Sequence, residues 1–210
     1  MTAVGRVNVR SEAAGILRGV TLAVRLGARV ESTSARRRGD IRKDPWHGRS
    51  MTDPAPGLVV RPGEGDATWH LDALWTWKVP AAATGGSLSV AEQLLPRGSA
   101  PPLHRHTHED EVWIVLDGEV SFFLDGQEHL TGDGTYVFGP RGRAHTYVVR
   151  SETARMIILL LPGACEEFFL STGHPAASLT LPPPAPPDMD ALMAGMTRFG
   201  IELVGPPPEL

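Results

Sequence analysis

From about Leu58 onward the chain is a succession of short runs rich in Val, Ile, Leu and aromatic residues, each closed by turn-forming residues. "LWTWKV", "SLSVAEQLL", "EVWIVL", "VSFFL", "TYVFG", "HTYVV" and "ARMIILLL" are short enough to read as strands rather than helices. Between them lie "TGG", "PRGSAPP", "DGE", "DGQE", "TGDG" and "GPRGR". Asp-Gly and similar pairs after apolar alternation are hairpin signals, because Gly accepts the positive φ that tight turns demand. Strands repeating every ~8–12 residues with such turns predict an all-β antiparallel sandwich or barrel. No internal repeat is visible, so one barrel with tails is expected rather than two barrels.

The pattern changes after Pro162. "ACEEFFLSTG" predicts a short amphipathic helix ended by Gly173, and "DMDALMAGMTRFG" a second one closing at Gly200. The tract "LPPPAPP" between them lacks the N–H groups for a helix or a central strand and must run as an extended strap. The expected organisation is therefore a basic N-terminal extension over 1–50, a barrel over 58–162 and a C-terminal segment over 163–210.

Charge sets the first of these apart. Residues 1–50 carry 11 Lys/Arg against 4 Asp/Glu, whereas the rest of the chain carries 9 against 20. The basic part has Trp46 as its one aromatic residue and no apolar periodicity, so composition predicts a disordered extension. Met51 opens "MTDPAPGLVV", which reads like a natural protein start. No helix-turn-helix pattern accompanies the arginines, so no nucleic-acid partner is expected. No apolar stretch reaches the ~20 residues of a membrane-spanning helix, so no membrane partner is expected either. Cys165 stands alone, cannot form an internal disulfide or a cysteine-built zinc site, and fits a cytoplasmic setting.

"HRHTHEDE", residues 104–111, concentrates three of the eight histidines at every second position. A period of two puts side chains on one face of a strand, and in a barrel that face points inward. His104 and His106 then project into one cavity, and Glu111 returns to it if residues 107–110 make a turn. Imidazoles and a carboxylate suit a borderline divalent transition metal. A fourth donor is offered by His145, which begins a fresh strand after the "PRG" turn.

These residues carry a family resemblance. Gly98, His104, His106, Glu111 and Gly118 have the spacing G-x5-H-x-H-x4-E-x6-G, and Gly134, Pro140, Gly142 and His145 the spacing G-x5-P-x-G-x2-H. The pair resembles the two motifs of the cupin superfamily, departing at Val149, where the second motif usually ends in Asn. The resemblance implies a cupin jelly-roll barrel (double-stranded β-helix) over roughly 67–162. It also implies one divalent metal (Fe, Mn, Ni, Co or Zn) held by His104, His106, Glu111 and His145.

Region 58–210 as a whole is similar to single-domain bacterial cupins described as quercetin dioxygenase-like. That similarity implies an oxidoreductase using dioxygen on a small enolic or phenolic substrate, with Glu111 as both ligand and general base. It also implies a homodimer, since cupins often pair through barrel edges. The rival readings are a non-redox metal-dependent cyclase or isomerase, and a small-molecule-binding cupin without catalysis.

The remaining candidates divide into surface, core and cavity. His108 lies outside the motif and is expected at the cavity mouth. His70, His129 and His174 sit at turn edges and read as surface histidines. Trp75 and Trp77 share a strand face and are expected in the core, or lining a cavity with Trp113, Phe123 or Phe138. Cys165 is expected to be buried and chemically idle.

Overall fold

The computed structural model describes residues 56–210. The expected extension over 1–50 lies outside the described residues. Twelve strands are present: β1 (Asp66–His70), β2 (Ala73–Val79), β3 (Ser89–Pro96), β4 (His104–His106), β5 (Asp110–Asp117), β6 (Val120–Leu124), β7 (Gln127–Thr131), β8 (Tyr136–Gly139), β9 (His145–Val149), β10 (Thr153–Leu161), β11 (His174–Pro175) and β12 (Ile201–Leu203). Helices α1 (Glu166–Thr172) and α2 (Met189–Phe199) follow the main strands. All strand pairs are antiparallel and form two sheets, in the orders β11-β1-β2-β3-β10-β5-β8 and β12-β4-β9-β6-β7. The fold is all-β, a jelly roll carrying two short helices.

Alternation decides which face of each long strand is buried. Ser89, Ala91, Gln93 and Leu95 of β3 point inward, as do Glu111, Trp113 and Val115 of β5 and Ala154, Met156, Ile158 and Leu160 of β10. Between the sheets the apolar members of these sets meet Val120, Phe122, Tyr147 and Val149 in one core. A one-residue slip in any of these strands would send the whole inward set to solvent, so the pattern fixes the register.

Turn chemistry follows the sequence closely. Gly118, between β5 and β6, has φ 93°, and a Cβ there would lie 2.6 Å from both the Thr153 carbonyl oxygen and the Ser151 hydroxyl. Only Gly satisfies both the dihedral and the space. Gly142 has φ 76° in the turn ahead of β9, and its N–H donates to the His106 carbonyl at 2.7 Å.

The two helices close one end of the barrel. α1 buries Phe168 and Phe169, and α2 is capped by Asp188, whose carboxylate accepts from the Ala191 N–H at 3.0 Å. Gly200, at φ 68°, ends α2 and turns the chain into β12, which pairs with β4, Ile201 opposite His106. Among the described residues no helix is long and apolar enough to cross a membrane.

Candidate metal site

The histidines converge because two neighbouring strands of one sheet, β4 and β9, deliver them together. β4 is short: Pro101 and Pro102 precede it and offer no N–H to a ladder. It pairs with β9 so that His104 stands opposite His145, and His106 follows two residues on with its side chain on the same face. Their rings are 4.7 Å (His104–His145), 5.1 Å (His104–His106) and 5.7 Å (His106–His145) apart between centroids.

Glu111 arrives from the other sheet, as the turn expected over 107–110 would have it. The Thr107 N–H and hydroxyl both donate to the Gly200 carbonyl. Asp110 points outward and is gripped by Arg141, whose backbone N–H, Nε and Nη2 donate to its carboxylate at 2.8, 3.0 and 2.7 Å. That clamp joins the start of β5 to the Pro-Arg-Gly turn that aims His145.

Donor atoms of His104, His106, Glu111 and His145 all lie within 4.8 Å of one another, a grouping able to hold a metal ion. Glu111 Oε2 is 2.8 Å from His145 Nε2 and 3.4 Å from His106 Nε2. The outer nitrogens are occupied in a way that suits ligation. His104 Nδ1 lies 2.7 Å from the Pro102 carbonyl oxygen and His145 Nδ1 3.1 Å from that of Arg143. A carbonyl partner requires the proton on Nδ1, so a neutral ring presents its Nε2 lone pair to the centre. The 2.8 Å contact of His145 Nε2 with Glu111 Oε2 is a hydrogen bond only when that nitrogen also carries a proton, which a bound metal would replace. His106 Nδ1 faces the Glu109 carboxylate at 3.6 Å, a charge contact longer than a hydrogen bond. Three imidazoles so oriented, with one carboxylate, fit a divalent transition metal.

The electrostatics favour an ionised carboxylate. Burial pushes the Glu111 carboxyl up, but His106, the hydrogen bond to His145 and His104 outweigh it and hold the group at about 2. Burial and repulsion from His145 bring His104 down to about 4. His106 is raised: burial opposes its charge, but Glu111 and Glu109 favour it more strongly. Burial, then the charges of Glu111 and Glu109, push the Cys165 thiol well up, so it stays protonated, with Sγ 3.9 Å from His106 Nδ1.

The site opens into a cavity of about 150 Å³. Its lining is apolar, from Trp75, Trp113 and Ile158 on the barrel to Leu192, Met193 and Met196 on α2, and includes no Lys or Arg among the described residues.

Several residues fall elsewhere than the sequence suggests. His70 is a correction: it is 5% exposed, because α1 folds Phe168 and Phe169 against its ring at 5.5 and 5.2 Å. Phe138 is 56% exposed, since Val137 takes the inward position on β8. On β6 it is Phe122 that is buried, Phe123 being half-buried and outside the cavity lining. Trp75 and Trp77 are buried and stacked at 5.7 Å, and Trp75 also lines the cavity. His108, His129 and His174 are exposed. Glu109 and Gln93 escape the motif reading, although each stands on an inward alternation: Glu109 two residues before Glu111, Gln93 between Ala91 and Leu95.

Residues 91–161, from β3 through β10, match the family described as "Cupin domain". The chain carries a cupin domain. All four grouped side chains lie inside the matched stretch. Over 125 residues this cupin is 30% identical to the quercetin 2,3-dioxygenase of Bacillus subtilis (strain 168). That match covers 60% of the chain but 37% of the relative, so the chain spans little more than a third of that protein's length. Among solved structures, KdgF from Halomonas sp. is similar with a TM-score of 0.47 and 15% identity, over 53% of this chain and 99% of that one. A predicted oxalate decarboxylase from Thermotoga maritima also gives a TM-score of 0.47, with 21% identity, over 50% and 99%.

Proposed function

We propose that His104, His106, Glu111 and His145 hold one divalent transition metal, and that the protein is a quercetin dioxygenase-like oxidoreductase acting with dioxygen on a small enolic or phenolic substrate. The observation that carries this reading is the convergence of three imidazoles and one carboxylate on a largely apolar cavity whose described lining holds no Lys or Arg. The similarity to the Bacillus quercetin 2,3-dioxygenase supports the choice of chemistry. A cavity without Lys or Arg disfavours phosphorylated or strongly anionic ligands and suits a neutral organic molecule.

A bound divalent metal would supply Lewis acidity and, where the metal is redox-active, a meeting place for substrate and dioxygen. The chain's own groups do the positioning and the proton work. The carbonyls of Pro102 and Arg143 hold the His104 and His145 rings in register. Glu111 stays ionised at neutral pH and can accept a proton at Oε2 from a substrate hydroxyl. Its carboxyl, held at about 2, is a weak base, so the hydroxyl it serves must itself be acidic. An enol or phenol meets that condition better than an aliphatic alcohol. α2 covers the cavity on the side facing away from the barrel wall, and the Phe168–Phe169 pair closes it around His70 and Trp75.

The test is metal analysis of protein purified without chelators, followed by oxygen-uptake screening against flavonols and smaller enolic phenols. Near-stoichiometric metal and substrate-dependent oxygen consumption are expected. Glu111→Gln should retain part of the metal, because three imidazoles remain, yet lose about 10²–10⁴-fold in turnover per bound metal. Near-native turnover per metal in that variant would remove Glu111 from the mechanism. Full metal with no oxygen consumption would favour a Lewis-acid cyclase or isomerase, or a binding protein.

A further inference from the structure

Four buried side chains on the cavity wall carry polar atoms without a hydrogen-bond partner among the described residues: His70 Nε2, Trp75 Nε1, Trp113 Nε1, and both the amide nitrogen and oxygen of Gln93. They are 5%, 4%, 2% and 1% exposed. An unpaired buried polar group is destabilising, and most buried polar side-chain atoms in folded proteins have a partner. Here the unpaired groups share one cavity.

Their placement follows from the ladder. Gln93 stands directly opposite Trp75 across the β2–β3 pair and opposite Met156 across the β3–β10 pair. Glu111 stands opposite Leu160 of the same β10. Four residues of β10 thus separate the Glu111 row from the Gln93 row, about 13 Å along the strand. Ile158, paired with Trp113 and Ala91, occupies the row between. The cavity is therefore polar at the imidazole cluster and polar again at Gln93, Trp75 and His70, with Ile158 in the row between and Tyr147 on the wall beside Gln93.

We infer that Gln93, Trp75 and His70 form a second polar subsite that binds an uncharged hydrogen-bonding group, a carbonyl or hydroxyl, at the far end of the substrate from the metal-binding cluster. This rests on the proposed reading of the cluster as the reacting end, and deepens it by naming the substrate class. That class is a compact, flat, neutral molecule with an acidic hydroxyl at one end and a hydrogen-bond acceptor at the other. Trp75 Nε1–H can only donate, and the Gln93 amide can donate through nitrogen and accept through oxygen. Burial keeps the His70 imidazole neutral at ordinary pH. The acidic group in this part of the lining is Asp72, which accepts from the Ser99 hydroxyl at 2.9 Å and favours a neutral ligand over an anionic one. A cavity of about 150 Å³ suits a ligand built on a single aromatic ring.

Matched probes test the subsite. 4-Hydroxyacetophenone and 4-ethylphenol have the same ring and nearly the same size, but only the first carries a carbonyl opposite the phenol. Calorimetric titration of the full chain, both zinc-loaded and metal-free, should show at least about tenfold tighter binding of 4-hydroxyacetophenone. Gln93→Leu keeps the side-chain volume, removes the unpaired amide and should shrink that preference to within about threefold, with metal content unchanged. Without ligand the same variant should melt roughly 2–4 °C higher, because an unpaired buried amide is gone.

Equal affinity of the native chain for the two probes, binding of neither, or a preference that survives Gln93→Leu would each overturn the proposal. So would a lower melting temperature, which would show that Gln93 serves the fold. Because the discrimination is also read without metal, loss of metal binding or of oxygen uptake would refute the cluster's proposed role while leaving this result to stand or fall separately.

Discussion

Replacing His70 by Phe should remove part of the acid sensitivity of the fold. The imidazole is 5% exposed and enclosed by the rings of Trp75, Phe168 and Phe169, at 6.2, 5.5 and 5.2 Å between centroids. Burial among these rings lowers its pKa from 6.5 to about 4. The unfolded chain thus takes up a proton near pH 6.5 that the folded chain refuses until about pH 4. His70 therefore contributes no penalty above about pH 6.5, and its stability cost grows as the pH falls toward about 4. Between these limits one extra proton binds the unfolded state, and the slope is about 1.4 kcal/mol per pH unit. At about pH 5 the accumulated loss is about 2 kcal/mol.

Phe keeps an aromatic ring in the pocket and does not titrate. Urea unfolding of the native chain and of His70→Phe at about pH 7.5 and about pH 5 gives four stabilities, and the difference of differences isolates His70 from every other titrating group. The variant should gain about 2 kcal/mol relative to the native chain on acidification. A difference below about 0.5 kcal/mol would mean that the folded protein protonates His70 near its ordinary pKa. The enclosure by α1 would then be loose, and the neutral polar subsite would lose one of its members.

Two further outcomes check the metal-binding cluster. His106→Ala should lower bound metal strongly and His108→Ala leave it nearly unchanged, because His106 lies within the grouped donors and His108 is exposed outside them; equal loss in both, read by elemental analysis, would refute the assignment. Gly139→Ala would place a Cβ 3.0 Å from Trp113 Cζ3 and 3.3 Å from His145 Nδ1. With Trp113 buried on all sides the strain should cost about 1–3 kcal/mol in urea unfolding and weaken zinc in a chelator competition, whereas unchanged values of both would show that the wall yields.

Strand periodicity and turn residues made most of the barrel legible in the sequence. The inward sets of β3, β5 and β10 alternate without interruption, and the Gly118 and Gly142 turns declare themselves by residue type. The four grouped donors were legible too, since His104, His106, Glu111 and His145 follow from alternation and motif spacing. What escaped depends on contacts distant in sequence. Nothing local to His70 announces that α1, about a hundred residues later, will fold Phe168 and Phe169 over it. Phe123 and Phe138 stay off the cavity wall because in β6 and β8 the inward position falls on the neighbouring residue, and those strands are too short for their phase to be read. Gln93 was readable in principle, as a polar residue at an inward position of an otherwise apolar alternation. Its meaning depends on which groups stand beside it in the fold, which a sequence does not display.

The two walls of the cavity differ in kind, and that difference bears on what the site can select. On the barrel side, Trp75, Gln93 and Trp113 are fixed by ladder pairing and carry polar groups with defined directions. On the opposite side, α2 offers Met189, Leu192, Met193 and Met196, flexible or unbranched for the most part and without strong hydrogen-bonding groups. α2 is nevertheless well defined, capped at its start by Asp188 on its own Ala191 N–H and tied at its end through Gly200, whose carbonyl accepts from Thr107 beside His106. A ligand entering such a cavity is oriented by the barrel wall, while the methionines adjust to its outline. Selectivity should then follow the position of a substrate's oxygen atoms more closely than the shape of its apolar edge. The same Gly200 tether, one residue before Ile201 pairs with His106, makes the closing helix and a metal-binding strand parts of one connected element.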